Sequence, residues 1–178
     1  MKTSDDSFRL SRRKFIAGTT AAALGGALVL PEGRAAAAGD RELKIALVGC
    51  GGRGTGAAVQ ALSTYGKVKL WAMADAFPEQ LEKSLRVMSA QRPKVSQSKD
   101  VQSLKERIDV PAERRFVGLD AYRKVCALEE VDVVILTTPP GFRARQFAAV
   151  VEAGKHVFME KPVATDVHGI QQVLSAAR

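Results

Sequence analysis

From residue 43 onward, short apolar runs alternate with longer stretches in which apolar residues recur every three or four positions. Leu43–Val48 reads as a buried strand halted by glycine, and residues 55–65 read as a helix of small residues. Residues 68–74 predict a second strand, which ends at Asp75. Residues 78–90 predict a helix with Pro78 in its first turn, where a missing N–H costs nothing. Residues 91–113 show no clear period and read as a polar excursion, with a short helix around 101–108. A short strand at Arg115–Val117 precedes a helix over 120–129 that Asp120 is expected to cap. The near-continuous apolar run 131–137 has the character of a strand covered on both faces. Thr138-Pro139-Pro140-Gly141 breaks it. Residues 142–153 are a helix ended by Gly154, and 156–160 are a fifth strand. Asp166 opens a last helix, whose Val167, Ile170, Val173, Leu174 and Ala177 are expected to form one face, with Val167, Ile170 and Leu174 packing on the sheet.

Strands separated by helices pair in parallel through right-handed crossovers. The expected fold is α/β: a doubly wound parallel sheet of the Rossmann kind, about five strands in the order 3-2-1-4-5, incomplete at its C-terminal end.

The pattern before residue 39 is different. A polar start leads to Ser11-Arg12-Arg13-Lys14-Phe15-Ile16, and then to an uncharged run that closes at Pro31-Glu32-Gly33-Arg34. Ala35-Ala36-Ala37-Ala38 follows as a small-residue cleavage site. These are the three regions of an export signal. The paired arginines, with serine before them and an aromatic after, resemble a twin-arginine (Tat) signal, which implies a Tat translocon as a transient partner and a periplasmic or other extracytoplasmic location. The uncharged run, about 15 residues broken by glycines and threonines, is short of the roughly 18 that span a bilayer, so no stable membrane anchor is expected. The division is then 1–38 signal, 39–165 nucleotide-binding domain, and 166–178 the start of a helix leading onward.

Composition narrows the partners. The chain is 46% apolar and 26% charged, which excludes a disordered or fibrous protein. Aromatics are only 6%, too few for a platform that stacks nucleic-acid bases. The net charge of +8 includes six Lys and Arg against three Asp and Glu in residues 1–38, leaving 21 against 16 in the remainder, scattered without a basic stripe. Nucleic acid is therefore not an expected partner. Cys50 and Cys126 form no disulfide framework, and no spacing of Cys and His marks a metal site.

The candidate chemistry lies at strand ends. Gly49-Cys50-Gly51-Gly52-Arg53-Gly54 matches G-x-G-x-x-G between the first strand and first helix. Gly49 permits the tight turn, Gly51 lets the backbone approach a pyrophosphate, and Gly54 lets helix and strand pack closely. Free N–H groups and the positive end of the helix dipole then face phosphates. Arg53 either adds a charge there or is merely solvated. Asp75, 21 residues beyond Gly54, can accept the ribose hydroxyls of an adenosine and repels a 2′-phosphate, favouring NAD over NADP. Its other reading is a helix cap ahead of Pro78. A methyltransferase also uses a glycine loop and an acid, so these two features leave the class open. Cys50 reads as space-filling and Cys126 as core.

Leu136-Thr137-Thr138-Pro139-Pro140 closes the fourth strand, and Gly154-Lys155-His156-Val157-Phe158-Met159-Glu160-Lys161-Pro162 closes the fifth. With the glycine loop, these resemble the glucose–fructose oxidoreductase, inositol dehydrogenase and MocA (Gfo/Idh/MocA) family over about residues 42–178. Glu160-Lys161-Pro162 is the specific signal. The resemblance implies an NAD(P)-dependent oxidoreductase of sugar- or polyol-like substrates, with NAD expected over NADP. It implies a dinucleotide site at Gly49, Gly51, Gly52, Arg53, Gly54, Asp75, Thr137, Thr138, Pro139, Glu160, Lys161 and Pro162. Lys161 would be the catalytic residue, and the Lys161–Pro162 bond would be cis. Read from the residues alone, Lys161 is a surface lysine and Pro162 a strand stop.

Two departures stand out. Gly141 occupies a position where members often carry histidine, and neither His156 nor His168 matches the family's catalytic histidine. The family continues into a sixth strand and a second domain that forms the substrate pocket. These 178 residues alone are accordingly expected to be inactive, and to self-associate through the edge of the fifth strand. The alternative is a non-catalytic dinucleotide-binding module or a truncated remnant.

Overall fold

A computed structural model describes residues 41–64, 66–92 and 103–178. The export signal read over 1–38 and residues 93–102 of the polar excursion lie outside the described residues.

Five strands form one parallel sheet: β1 (Leu43–Val48), β2 (Val68–Asp75), β3 (Arg115–Val117), β4 (Val133–Leu136) and β5 (His156–Met159), in the order β3-β2-β1-β4-β5. This is the expected doubly wound arrangement. The helices are α1 (Gly52–Leu62), α2 (Pro78–Ser89), α3 (Ala121–Cys126), α4 (Pro140–Glu152) and α5 (Val167–Ala176), with short 3-10 turns at Leu104–Arg107 and Ala112–Arg114.

The alternation within β1 explains the two layers. Ile45 and Leu47 enter one apolar cluster with Ala57, Ala58 and Leu62 of α1 and Leu81 and Met88 of α2. Ala46 and Val48 enter the other, with Tyr122 and Val125 of α3 and Phe147 and Val150 of α4. On that second face the sheet offers alanines (Ala46, Ala72, Ala74), which leave room for the large Tyr122 and Phe147. The β1–β2 register slips between Ile45 and Ala46, whose partners are Leu70 and Ala72. The extra residue is Trp71. Its ring lies between the Lys44 ammonium at 3.7 Å and the Arg114 guanidinium at 3.5 Å.

Several elements depart from the sequence expectation. α1 starts inside the glycine loop, at Gly52 rather than at residue 55. α3 stops at Cys126, short of residue 129, and the Asp120 side chain makes no capping bond. α4 begins at Pro140, so the double proline both ends the strand connection and starts the helix, with proline in the first turn where its lost N–H is harmless.

The largest correction concerns α5. Asp166 caps it as expected, accepting from Gly169 N at 2.8 Å, and this bond with that from Thr165 holds its carboxyl below the ordinary range. The packed stripe, however, is Gly169, Val173 and Ala176. Val167, Ile170 and Leu174 are 71%, 45% and 57% exposed, and Ala177 is exposed. The reason is steric. A Cβ at Gly169 would lie 3.5 Å from Ala144 Cβ of α4 and 2.8 Å from Ala164 Cβ, so α5 docks through its smallest residue. The larger side chains lie on the neighbouring stripe, away from α4.

Among the described residues no helix is long and apolar enough to cross a membrane.

Candidate functional site

The strand order reverses at β1, with β2 on one side and β4 on the other. The loops that leave β1 and β4 therefore part, opening a crevice at the carboxyl edge, the place where ligands bind in such sheets. A cleft of about 660 Å³ lies there.

Gly49 has φ +93°, and its N–H donates to Ala74 O of β2 at 2.8 Å. A Cβ on Gly49 would come 2.7 Å from Thr138 N. Thr137 Oγ1 lies 2.6 Å from Gly49 O and 3.1 Å from Val48 O, tying the end of β4 to the turn after β1. A Cβ on Gly54 would meet Gly49 O at 1.9 Å and Thr137 Oγ1 at 2.6 Å. The first turn of α1 thus rests directly on that turn. Gly51 and Gly52 are the reverse case. Nothing stands within 4 Å of a Cβ on either, and both face the cleft. The first N–H groups of a helix have no partner within it. Here they open onto a surface cleared of side chains.

Asp75 closes the far side. Its Oδ2 accepts from Cys50 N at 2.5 Å and its Oδ1 from Phe77 N at 2.9 Å. The helix-cap reading gives way, since the cap position of α2 belongs to Phe77 and the carboxylate bridges two loops instead. The Cys50 thiol is buried beneath it. Desolvation, and then the Asp75 charge, push its pKa upward, which leaves it an unreactive filler.

The cleft wall brings together Gly49, Gly51, Gly52, Arg53, Gly54, Asp75, Thr137, Thr138 and Pro139. Glu160, Lys161 and Pro162 stand outside that wall and are joined to it by two arginines. The Arg53 side chain pairs with Glu160, which is 11% exposed against 55% for Arg53. That pairing holds the Glu160 carboxyl below the ordinary range, with Arg143 and Lys161 adding to the effect. Arg53 is therefore neither free nor merely solvated in this state. Arg143 is buried in the cleft wall and bonds backbone carbonyls at both strand ends. The Lys161–Pro162 bond is cis, as the resemblance implied.

Residues 43–178 match the model of the family described as "Oxidoreductase family, NAD-binding Rossmann fold", Gfo/Idh/MocA. The chain belongs to this family. A curated relative, a glycosyl hydrolase family 109 protein of Shewanella pealeana, is 26% identical over 136 residues, 76% of this chain and 26% of the relative. The chain thus spans about a quarter of the length of that relative. Apo scyllo-inositol dehydrogenase from Lactobacillus casei superposes with TM-score 0.56 at 23% identity, over 76% of this chain and 33% of that one. The myo-inositol dehydrogenase of the same organism, in complex with NAD(H) and myo-inositol, gives TM-score 0.56 at 17% identity over the same shares. These two likenesses speak to the fold.

The Gfo/Idh/MocA glycine loop fits the dinucleotide its family description names. Gly51 and Gly52 leave the space that a pyrophosphate needs, and Asp75 lies at the end of β2 where a ribose would sit. Sequence reasoning missed the apolar flank made by Phe77 and Leu119, both 63% exposed and both on the cleft wall. It also missed Arg143. A signal for Arg143 existed: it shares a helical stripe with the buried Phe147 and Val150, four and seven positions on, and a charge on an apolar stripe needs a partner. Among the described residues no group of three or more His, Cys, Asp or Glu could hold a metal ion.

The two kinds of glycine predict opposite outcomes. Gly54→Ala should lower stability by about 1–3 kcal/mol or more through overpacking against Gly49 O, and should abolish NADH binding. Gly56→Ala, inside α1 with open space around its Cβ, should stabilise by roughly 0.5–1 kcal/mol and leave binding intact. Urea unfolding and fluorescence titration of NADH would read both.

Proposed function

We propose that the chain is the dinucleotide-binding part of an NAD-dependent oxidoreductase that oxidises a hydroxyl carbon of a sugar- or polyol-like substrate. The single observation that carries this reading is the cleared glycine cradle with Asp75 bridged across it, in a chain of this family. Bound NAD supplies the hydride acceptor. The first turn of α1 holds the pyrophosphate through its free N–H groups, and Gly51 and Gly52 keep side chains out of the way. Asp75 accepts the ribose hydroxyls of the adenosine half, and its charge opposes a 2′-phosphate. Thr137, Thr138 and Pro139 border the middle of the site. Glu160, Lys161 and Pro162 serve the nicotinamide half. Lys161, as the catalytic residue, donates a hydrogen bond to the substrate hydroxyl oxygen and stabilises the charge on it as hydride leaves the carbon for the dinucleotide and the hydroxyl proton passes to solvent. A glycoside in place of a free polyol is the second reading, favoured by the curated relatives being glycosyl hydrolase family 109 proteins.

Export by the twin-arginine route, with residues 1–38 as the signal and the periplasm as destination, belongs to the same proposal. It rests on Arg12 and Arg13 and the uncharged run after them. Self-association belongs to it as well. Among the described residues β5 pairs only with β4 and leaves its other edge open, and Phe158 on that strand is 50% exposed.

Fluorescence titration should show NADH binding more tightly than NADPH, and Asp75→Ala should weaken NADH by about 2 kcal/mol and narrow the preference. Tighter NADPH binding by the wild type would remove Asp75 from its role. Replacement of Arg12 and Arg13 by lysine should leave precursor in the cytoplasm on fractionation; continued export would point to another route. Light scattering on the eluting chain should report species larger than a monomer, and a monodisperse monomer would refute association through β5.

A further inference from the structure

Arg143 carries a charge on the apolar stripe of α4 and is only 5% exposed. Burying a guanidinium is costly unless its donors are met. Three of its five donors are met by backbone carbonyls. Nε donates to Thr138 O at 2.7 Å, and Nη1 donates to Glu160 O at 2.8 Å and to Pro162 O at 2.6 Å. Thr138 follows β4, and Glu160 and Pro162 are the immediate neighbours of Lys161. One rigid group therefore spans from the end of one strand to both sides of the lysine.

The backbone gives this turn little else. Glu160 N donates to Leu136 O at 3.1 Å, the last ladder bond of β5. Beyond it, no N–H of residues 161–165 has a backbone acceptor among the described residues, and Pro162 has none to offer. Lys161, Pro162 and Val163 are exposed. A guanidinium presents its N–H groups in a fixed planar fork, so carbonyls bonded to it are held at set positions relative to one another. A lysine at the same place supplies one charge on a flexible stem.

We propose that Arg143 is the positioning residue for Lys161. By holding the carbonyls on either side of it against the end of β4, it fixes where the lysine enters the nicotinamide half of the site. This rests on the reading of Lys161 given above.

The test compares NADH with ADP, which carries the adenosine and pyrophosphate but no nicotinamide half. The full chain is titrated with each, as wild type, Lys161→Met, Arg143→Met, Arg143→Lys and the double variant Arg143→Met/Lys161→Met. The wild type should bind NADH more tightly than ADP, and Lys161→Met should lose that margin. If either fails, the reading of Lys161 falls before Arg143 is touched, and the proposal falls with it. With both met, Arg143→Met should weaken NADH by about tenfold while ADP stays within about twofold, as expected for bonds lost to a charged group in one half of the site. It should add nothing in the Lys161→Met background, because coupled residues do not sum. Arg143→Lys should recover little of the loss. Equal weakening of NADH and ADP would make Arg143 a structural residue only and overturn the proposal, as would additive losses in the double variant. If Arg143→Met does not fold, Arg143→Lys decides by the same split between the two ligands.

Discussion

The approach of α1 to the ends of β1 and β4 governs the geometry of the whole carboxyl edge. The room for a Cβ on Gly54 is already filled by Gly49 O, 1.9 Å from where that atom would sit. Thr137 completes the same contact by bonding the carbonyls of Val48 and Gly49. This packing places the free end of α1 over the reversal point of the sheet, where diverging loops leave a crevice. A few tenths of an ångström more between helix and strand would shift the free N–H groups of α1 relative to that crevice.

A second layer of organisation is electrostatic, and it joins loops that the sheet itself does not join. Arg53 on the glycine loop pairs with Glu160, and Arg143 from α4 bonds the carbonyls of Thr138, Glu160 and Pro162. The Arg53–Glu160 pair is half-exposed, which makes it weak as a source of stability and easily exchanged for another anion. Arg143 is a different case, because a buried guanidinium that lost its acceptors would carry the full desolvation penalty. The turn around Lys161 is accordingly held more firmly by Arg143 than by the Arg53–Glu160 pair.

The architecture was legible because it follows from local rules. Apolar runs of strand length between amphipathic stretches define a parallel doubly wound sheet, and the order 3-2-1-4-5 follows from right-handed crossovers. The glycine loop, Asp75 and the threonines after β4 were legible as well, each beginning at or next to a strand end that the pattern already marked. Glu160, Lys161 and Pro162 were legible only through family resemblance. Their own residue types describe an ordinary surface turn, and the cleft wall does not include them.

What the chain determines by itself is thus the identity and order of its elements, since strand and helix periods are properties of neighbouring residues. The choice between adjacent helix stripes was decided by tertiary packing. In α5 the smaller Gly169, Val173 and Ala176 dock while Val167, Ile170 and Leu174 remain exposed, because hydrophobicity ranks the larger residues first but the close approach of Ala164 leaves no room for a side chain at Gly169. The partners of the long charged side chains were settled in the same way. Arg53 and Glu160 are 107 residues apart, and Arg143 reaches carbonyls 17 and 19 residues away. Such partners exist only once β4 and β5 lie side by side, and no local pattern records which carbonyls that pairing will present.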